Sequence, residues 1–96
     1  MTEKRYDMQP CERGRIVRSI SGHDEGMYYM VIGEQGGRVL LTDGHLKKQE
    51  VPKKKNRKHL EETETVLFAG RLEEGGRVTD EEIRHALKEY RKQLKN

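Results

Sequence analysis

A chain of 96 residues suffices for one small domain with an appended element, and 39% Asp, Glu, Lys and Arg against 31% apolar residues leaves room for only a modest core. The net charge of +3 is small, a lone Cys11 excludes an internal disulfide, and the longest apolar run, Met27–Ile32, is far too short to span a membrane. The N-terminal MTEKRYDMQP has no apolar core of the kind a signal peptide carries, so a cytoplasmic location is the expectation.

Residues 1–12 have no hydrophobic period and are expected to form a flexible N-terminal arm. From Gly14 the pattern changes. GRIVRSIS is rich in β-branched residues, MYYMVIGE (27–34) is β-branched and aromatic, and the turn-rich SGHDEG lies between them at hairpin length. EQGG (34–37) marks the next turn and RVLLT (38–42) a third strand. Asp43-Gly44 signals a two-residue hairpin, because both central positions of a type I′ turn need positive φ. His45–Val51 is then expected to return as a short fourth strand, ended by Pro52, which has no N–H to donate. TVLFAGRL (65–72) is expected to supply the closing strand.

The last segment, VTDEEIRHALKEYRKQLKN, reads as a helix. Thr79 as N-cap and Glu82 three residues on form a capping box, with Val78 and Ile83 at the positions of a hydrophobic staple. Asp80 and Glu81 sit at the positive end of the helix dipole, and Arg91, Lys92 and Lys95 at the negative end. Ile83, Ala86, Leu87, Tyr90 and Leu94 share one face. A helix of this length is marginal alone in water, so that face must pack on the barrel. The expected organisation is mostly β: an arm (1–12), a small antiparallel barrel (13–72), a linker (73–78) and an amphipathic α-helix (79–96).

Charge is segregated along the chain. Residues 47–60 carry seven Lys/Arg and one Glu, 61–82 eight acids and two Arg, and 83–96 five Lys/Arg and one Glu. Two positive blocks around a negative one predict a sided molecule that attracts a polyanion, with the acids facing away from it. Catalytic readings find no footing. Cys11 has no adjacent base, and the four histidines, His23, His45, His59 and His85, have no metal-ligand spacing. GEQGG lacks the Lys-Ser/Thr of a phosphate loop. No enzyme, metal or cofactor is expected. The run VPKKKNRKHL (51–60) is different. Pro52 stiffens its start, patterned strands bracket it, and Asn56 and His59 add hydrogen-bonding and stacking groups suited to RNA.

GRIVRSISGHDEG (14–26) resembles the KOW motif: Gly14, Val17, Ile20, Gly22 and Gly26 match it, and Asp24 stands where such loops often carry an acid. The continuation VLLTDGHLKKQEVPKKKNRKHL is similar to bacterial KOW-domain RNA-binding proteins related to archaeal and eukaryotic large-subunit ribosomal proteins. In those relatives a strand is followed by Asp-Gly and then by a Pro-Lys-x-Lys-Asn…His-Leu segment, matched here by Asp43-Gly44, Pro52–Asn56 and His59-Leu60. The resemblance covers about residues 14–60, and the closing helix looks like the family's tail. His23 departs from the family, where many relatives carry Arg. Nothing carries over onto 63–77. The resemblance implies an SH3-like barrel that binds RNA, often ribosomal, and large-subunit proteins as further partners of a chain that is monomeric when free.

The RNA surface is expected to comprise Arg15, Arg18, Gly22, His23, Lys47, Lys48, Lys53, Lys54, Lys55, Asn56, Arg57, Lys58 and His59. Arg84, Lys88, Arg91 and Lys95, which form a stripe along the helix, are candidates for a second contact. An SH3-like barrel could instead serve as an adaptor within the translation or transcription machinery, although the scarcity of aromatic residues argues against a proline-peptide groove.

Overall fold

The computed structural model describes residues 11–95, so the expected arm lies outside the described residues except for Cys11 and Glu12. Five strands come first: β1 (Arg15–Ser19), β2 (Tyr28–Gln35), β3 (Arg38–Thr42), β4 (Lys53–Asn56) and β5 (Leu60–Val66). A short helix α1 (Ala69–Glu73) and the long helix α2 (Asp80–Leu94) follow. All strand pairs are antiparallel, in the order β4-β3-β2-β1-β5. The two edge strands, β4 and β5, are joined by a single 3-10 turn at Arg57–His59, so the sheet curls until its edges are neighbours. The fold is mostly β with a C-terminal helix, as the β-branched runs between turns and the capped amphipathic segment imply.

Period-two alternation sorts the strand residues onto two apolar faces. Inside the curl, Val17, Tyr29, Val31, Val39, Leu41 and Leu60 are buried together with Cys11. On the outer face Ile16 and Met30, direct register partners, meet Val78, Ile83 and Leu87 of the helical segment. Both faces of β1 and β2 are therefore covered, which is how a chain with few apolar residues builds two small cores.

Helix α2 forms as its sequence dictates. Thr79 Oγ1 accepts from Glu82 N–H, Glu82 Oε1 accepts from Thr79 N–H, and Val78 and Ile83 are buried in one cluster. Arg71 of α1 donates to both Glu82 carboxylate oxygens at 2.9 Å. These bonds from the Thr79 backbone and from Arg71 hold the Glu82 carboxyl below its usual range. The apolar face ends early: Ile83 and Leu87 are buried, Tyr90 is half-buried against Tyr28, and Leu94 is exposed. Leu87 is only 1% exposed, so Leu87→Ala is expected to cost about 2–4 kcal/mol. Urea denaturation measures this, and a loss well under about 1 kcal/mol would mean that α2 is not docked through this face.

Three expectations are corrected. First, His45–Val51 is a loop, not a strand. Asp43 Oδ1 accepts from the N–H groups of His45 and Lys47, so its side chain takes the bonds a hairpin would have used. The loop then lies on α2: Gln49 donates to Val78 O and, from its backbone and side chain, to Asp80 Oδ1. Gly44 makes this approach possible, since a Cβ there would meet Asp80 O at 2.2 Å. Second, the fourth strand is the basic run itself, with Lys53 to Asn56 paired to Leu41 back to Arg38. Pro52 precedes this strand, where its missing N–H interrupts no ladder. Third, the closing strand is Leu60–Val66, while 69–73 turn into α1.

Candidate nucleic-acid interface

The turn between β1 and β2 is organised by one carboxylate. Asp24 Oδ1 accepts from Ser19 Oγ at 2.8 Å and Lys55 Nζ at 3.1 Å, and Asp24 Oδ2 accepts from Tyr29 OH at 2.9 Å. Lys53 Nζ lies 3.6 Å from Oδ2. Burial pushes the Asp24 carboxyl up, but the bonds from Ser19, Tyr29 and Lys55 and the charge of Lys53 outweigh it and hold it well below the usual carboxylate range. Tyr29 moves the other way, raised by burial and by its bond to Asp24. Gly22, at φ +91°, lies directly over this cluster: a Cβ there would sit 3.5 Å from Lys55 Nζ.

The cations of the basic run fall into two sets by strand alternation. Lys53 and Lys55 point to Asp24, and Lys55, only 13% exposed, also donates to Ser21 O. Arg57, 16% exposed, lies between Glu34 and Glu62, each 3.7 Å away. The same pair of acids holds residue 11: Cys11 N–H donates to Glu34 Oε2 and its Sγ approaches Glu62 Oε2. Burial, only partly offset by Arg57, pushes the Cys11 thiol up to about 11. Cys11 is therefore part of the barrel end rather than of a loose arm. Lys54 and Lys58 are exposed and form no ion pair among the described residues. Asn56 caps the 3-10 turn by accepting from Lys58 N–H, and half-buried His59 accepts from Ile20 N–H through its backbone oxygen.

Arg15 and Arg18 are engaged across the β1–β5 ladder. Arg18 Nε donates to its register partner Glu61 at 3.0 Å, and Arg15 donates to Glu12 and Thr63 O, with Glu62 at 3.9 Å. The expectation that residues 61–82 face away from the cations is thus overturned at its N-terminal end, where Glu61 and Glu62 neutralise Arg18, Arg15 and Arg57. Opposite charges on paired strands explain why so polar a segment as LEETETV forms β5 at all.

Lys47 and Lys48 are exposed on the 43–52 loop, and His23 is exposed at the tip of the β1–β2 turn. On the other flank of that turn, a groove of about 410 Å³ runs between α2 and the two loops. Gly26 and His45 line it opposite Arg84, Lys88 and Arg91. The two positive blocks of the sequence therefore reach the same turn from opposite sides: Lys55 at Gly22, and the helix cations at Gly26. Met27, Asp43 and Leu46 also line this groove. The sequence reading does not single them out, since Met27 reads as a strand residue and Asp43 as a hairpin turn. The one sequence signal is Met27, a large apolar residue next to the turn glycine Gly26.

Among the described residues no cluster of His, Cys, Asp and Glu could hold a metal ion, and no helix is long and apolar enough to cross a membrane. No protein-family model matches this sequence, and no curated protein matches it either.

Proposed function

We propose that the protein binds structured RNA, ribosomal RNA foremost, by neutralising backbone phosphates along a surface centred on the Gly22–Gly26 turn. One observation carries the reading: positive blocks separated in sequence by an acidic stretch flank a single turn. The cations that meet the RNA are the exposed Lys54 and Lys58 of the basic run and Arg84, Lys88 and Arg91 of α2, with His23 at the tip of the turn. Lys53, Lys55, Arg15, Arg18 and Arg57 are engaged within the protein and act by fixing that frame. The strand order and the 3-10 turn between edge strands are compatible with an SH3-like barrel, the fold the KOW resemblance implies.

Binding by phosphate neutralisation carries a salt signature, because each contact releases condensed counterions. With about four phosphates neutralised, log K is expected to fall with log salt at a slope of about −3 to −4. Fluorescence anisotropy with a structured RNA measures the slope, and co-sedimentation with ribosomal subunits at two salt concentrations, followed by crosslinking, identifies the RNA. Salt-independent binding, or none at low salt, sinks the reading.

A further inference from the structure

We propose that the groove between α2 and the two loops captures one unstacked nucleotide of the RNA, its phosphate on Arg84, Lys88 and Arg91 and its base against Met27 and Leu46. The inference rests on the RNA-binding reading and adds to it a preference for an unpaired base.

The groove carries an apolar wall opposite its cations. Met27 is 45% exposed and Leu46 73% exposed, and both line it together with Tyr28, whose ring is held edge-on by Tyr90 at 5.5 Å. Phosphate binding alone has no use for such a wall. A nucleobase has two apolar faces to place on it, and only an unstacked base can reach a groove off the duplex. The volume of about 410 Å³ falls within the range of small-ligand sites, about 300–1,000 Å³.

Charge fixes the orientation. Arg84, Lys88 and Arg91 recur at i, i+4 and i+7, so they form one wall, and none is ion-paired among the described residues. The opposite wall holds Asp43, whose Oδ1 already accepts from two backbone N–H groups and whose Oδ2 is left to accept from a ligand. A phosphate is repelled there, whereas a base edge that donates N–H groups is matched. Guanine, with adjacent N1–H and N2–H donors, fits best.

Three RNA probes test this: a short fully paired duplex, the same duplex with one bulged guanosine, and the duplex with an abasic residue at the bulge. The bulged guanosine is expected to bind at least tenfold tighter than the paired duplex, and the abasic bulge to lose that advantage. Met27→Ser with Leu46→Ser, both at exposed positions, is expected to bring the bulged-to-paired affinity ratio close to one. Equal affinity for all three probes overturns nucleotide capture and leaves the phosphate surface standing. No binding of any probe at low salt overturns both. An acidic peptide that shifts the Met27 and Leu46 methyl resonances when the bulged RNA does not would assign the groove to a protein partner and overturn the proposal.

Discussion

Replacing Asp24 with alanine is expected to cost about 3–5 kcal/mol, a large share of the stability of a domain this size. The loss does not equal the worth of the ion pair. It arises because Lys55 is 13% exposed and would be left as a cation with only the neutral Ser21 O beside it, while Tyr29 OH loses the oxygen it donates to and Ser19 Oγ is left with Ser21 O alone. The double variant Asp24→Ala with Lys55→Met is therefore expected to recover much of the deficit, since it removes the stranded charge. Urea denaturation of the three proteins decides the matter. A single-variant loss well under about 1 kcal/mol would show that the cluster does not hold the turn.

The same cluster sets the pH dependence. Asp24 titrates lower in the folded chain than in the unfolded one, where an aspartate has a pKa near 3.9. The unfolded state therefore binds the proton first, and the Asp24 contribution is complete at neutral pH and lost progressively below about pH 5. Tyr29 is raised in the folded state, so its contribution is complete below about pH 10 and is lost at more alkaline values. Asp24→Asn is expected to flatten the acid limb of stability against pH. An unchanged acid limb would assign that limb to other carboxylates.

What the sequence makes legible here is what local chemistry decides. The α2 cap follows from Thr79 and Glu82 alone, and β1 to β3 follow from β-branched and aromatic runs bounded by turn residues. What it hides depends on distant partners. KKKN reads as solvated loop because lysine has little β-preference, yet at a sheet edge alternating lysines suit a strand that must not recruit another. LEETETV becomes a strand because β1 presents Arg15 and Arg18 to it, which no local window can reveal. The candidate site divides in the same way. Composition finds the cations, but only the fold separates Lys54 and Lys58 from Lys53, Lys55 and Arg57, whose charges serve the protein's own acids.

That separation defines the most informative binding experiment. Lys54→Glu with Lys58→Glu, and separately Lys88→Glu with Arg91→Glu, are each expected to weaken RNA binding at least tenfold with the fold intact, because all four side chains are exposed and free of ion pairs among the described residues. Each pair should also make the salt slope shallower by about 2, one unit for each lost phosphate contact. The pairs lie on separate elements, β4 with its 3-10 turn and helix α2, so their effects should combine to at least a hundredfold. Arg57→Glu is the wrong probe for this surface. It would set three carboxylates together at the barrel end, since Glu34 and Glu62 already flank that position, and the resulting loss of RNA binding would report unfolding. Circular dichroism of each variant separates the two causes. If the helix reversal leaves affinity and slope untouched while the Lys54 and Lys58 reversal abolishes binding, α2 is only a brace. The RNA surface then ends at the barrel edge, and the groove beside Gly26 loses its role with it.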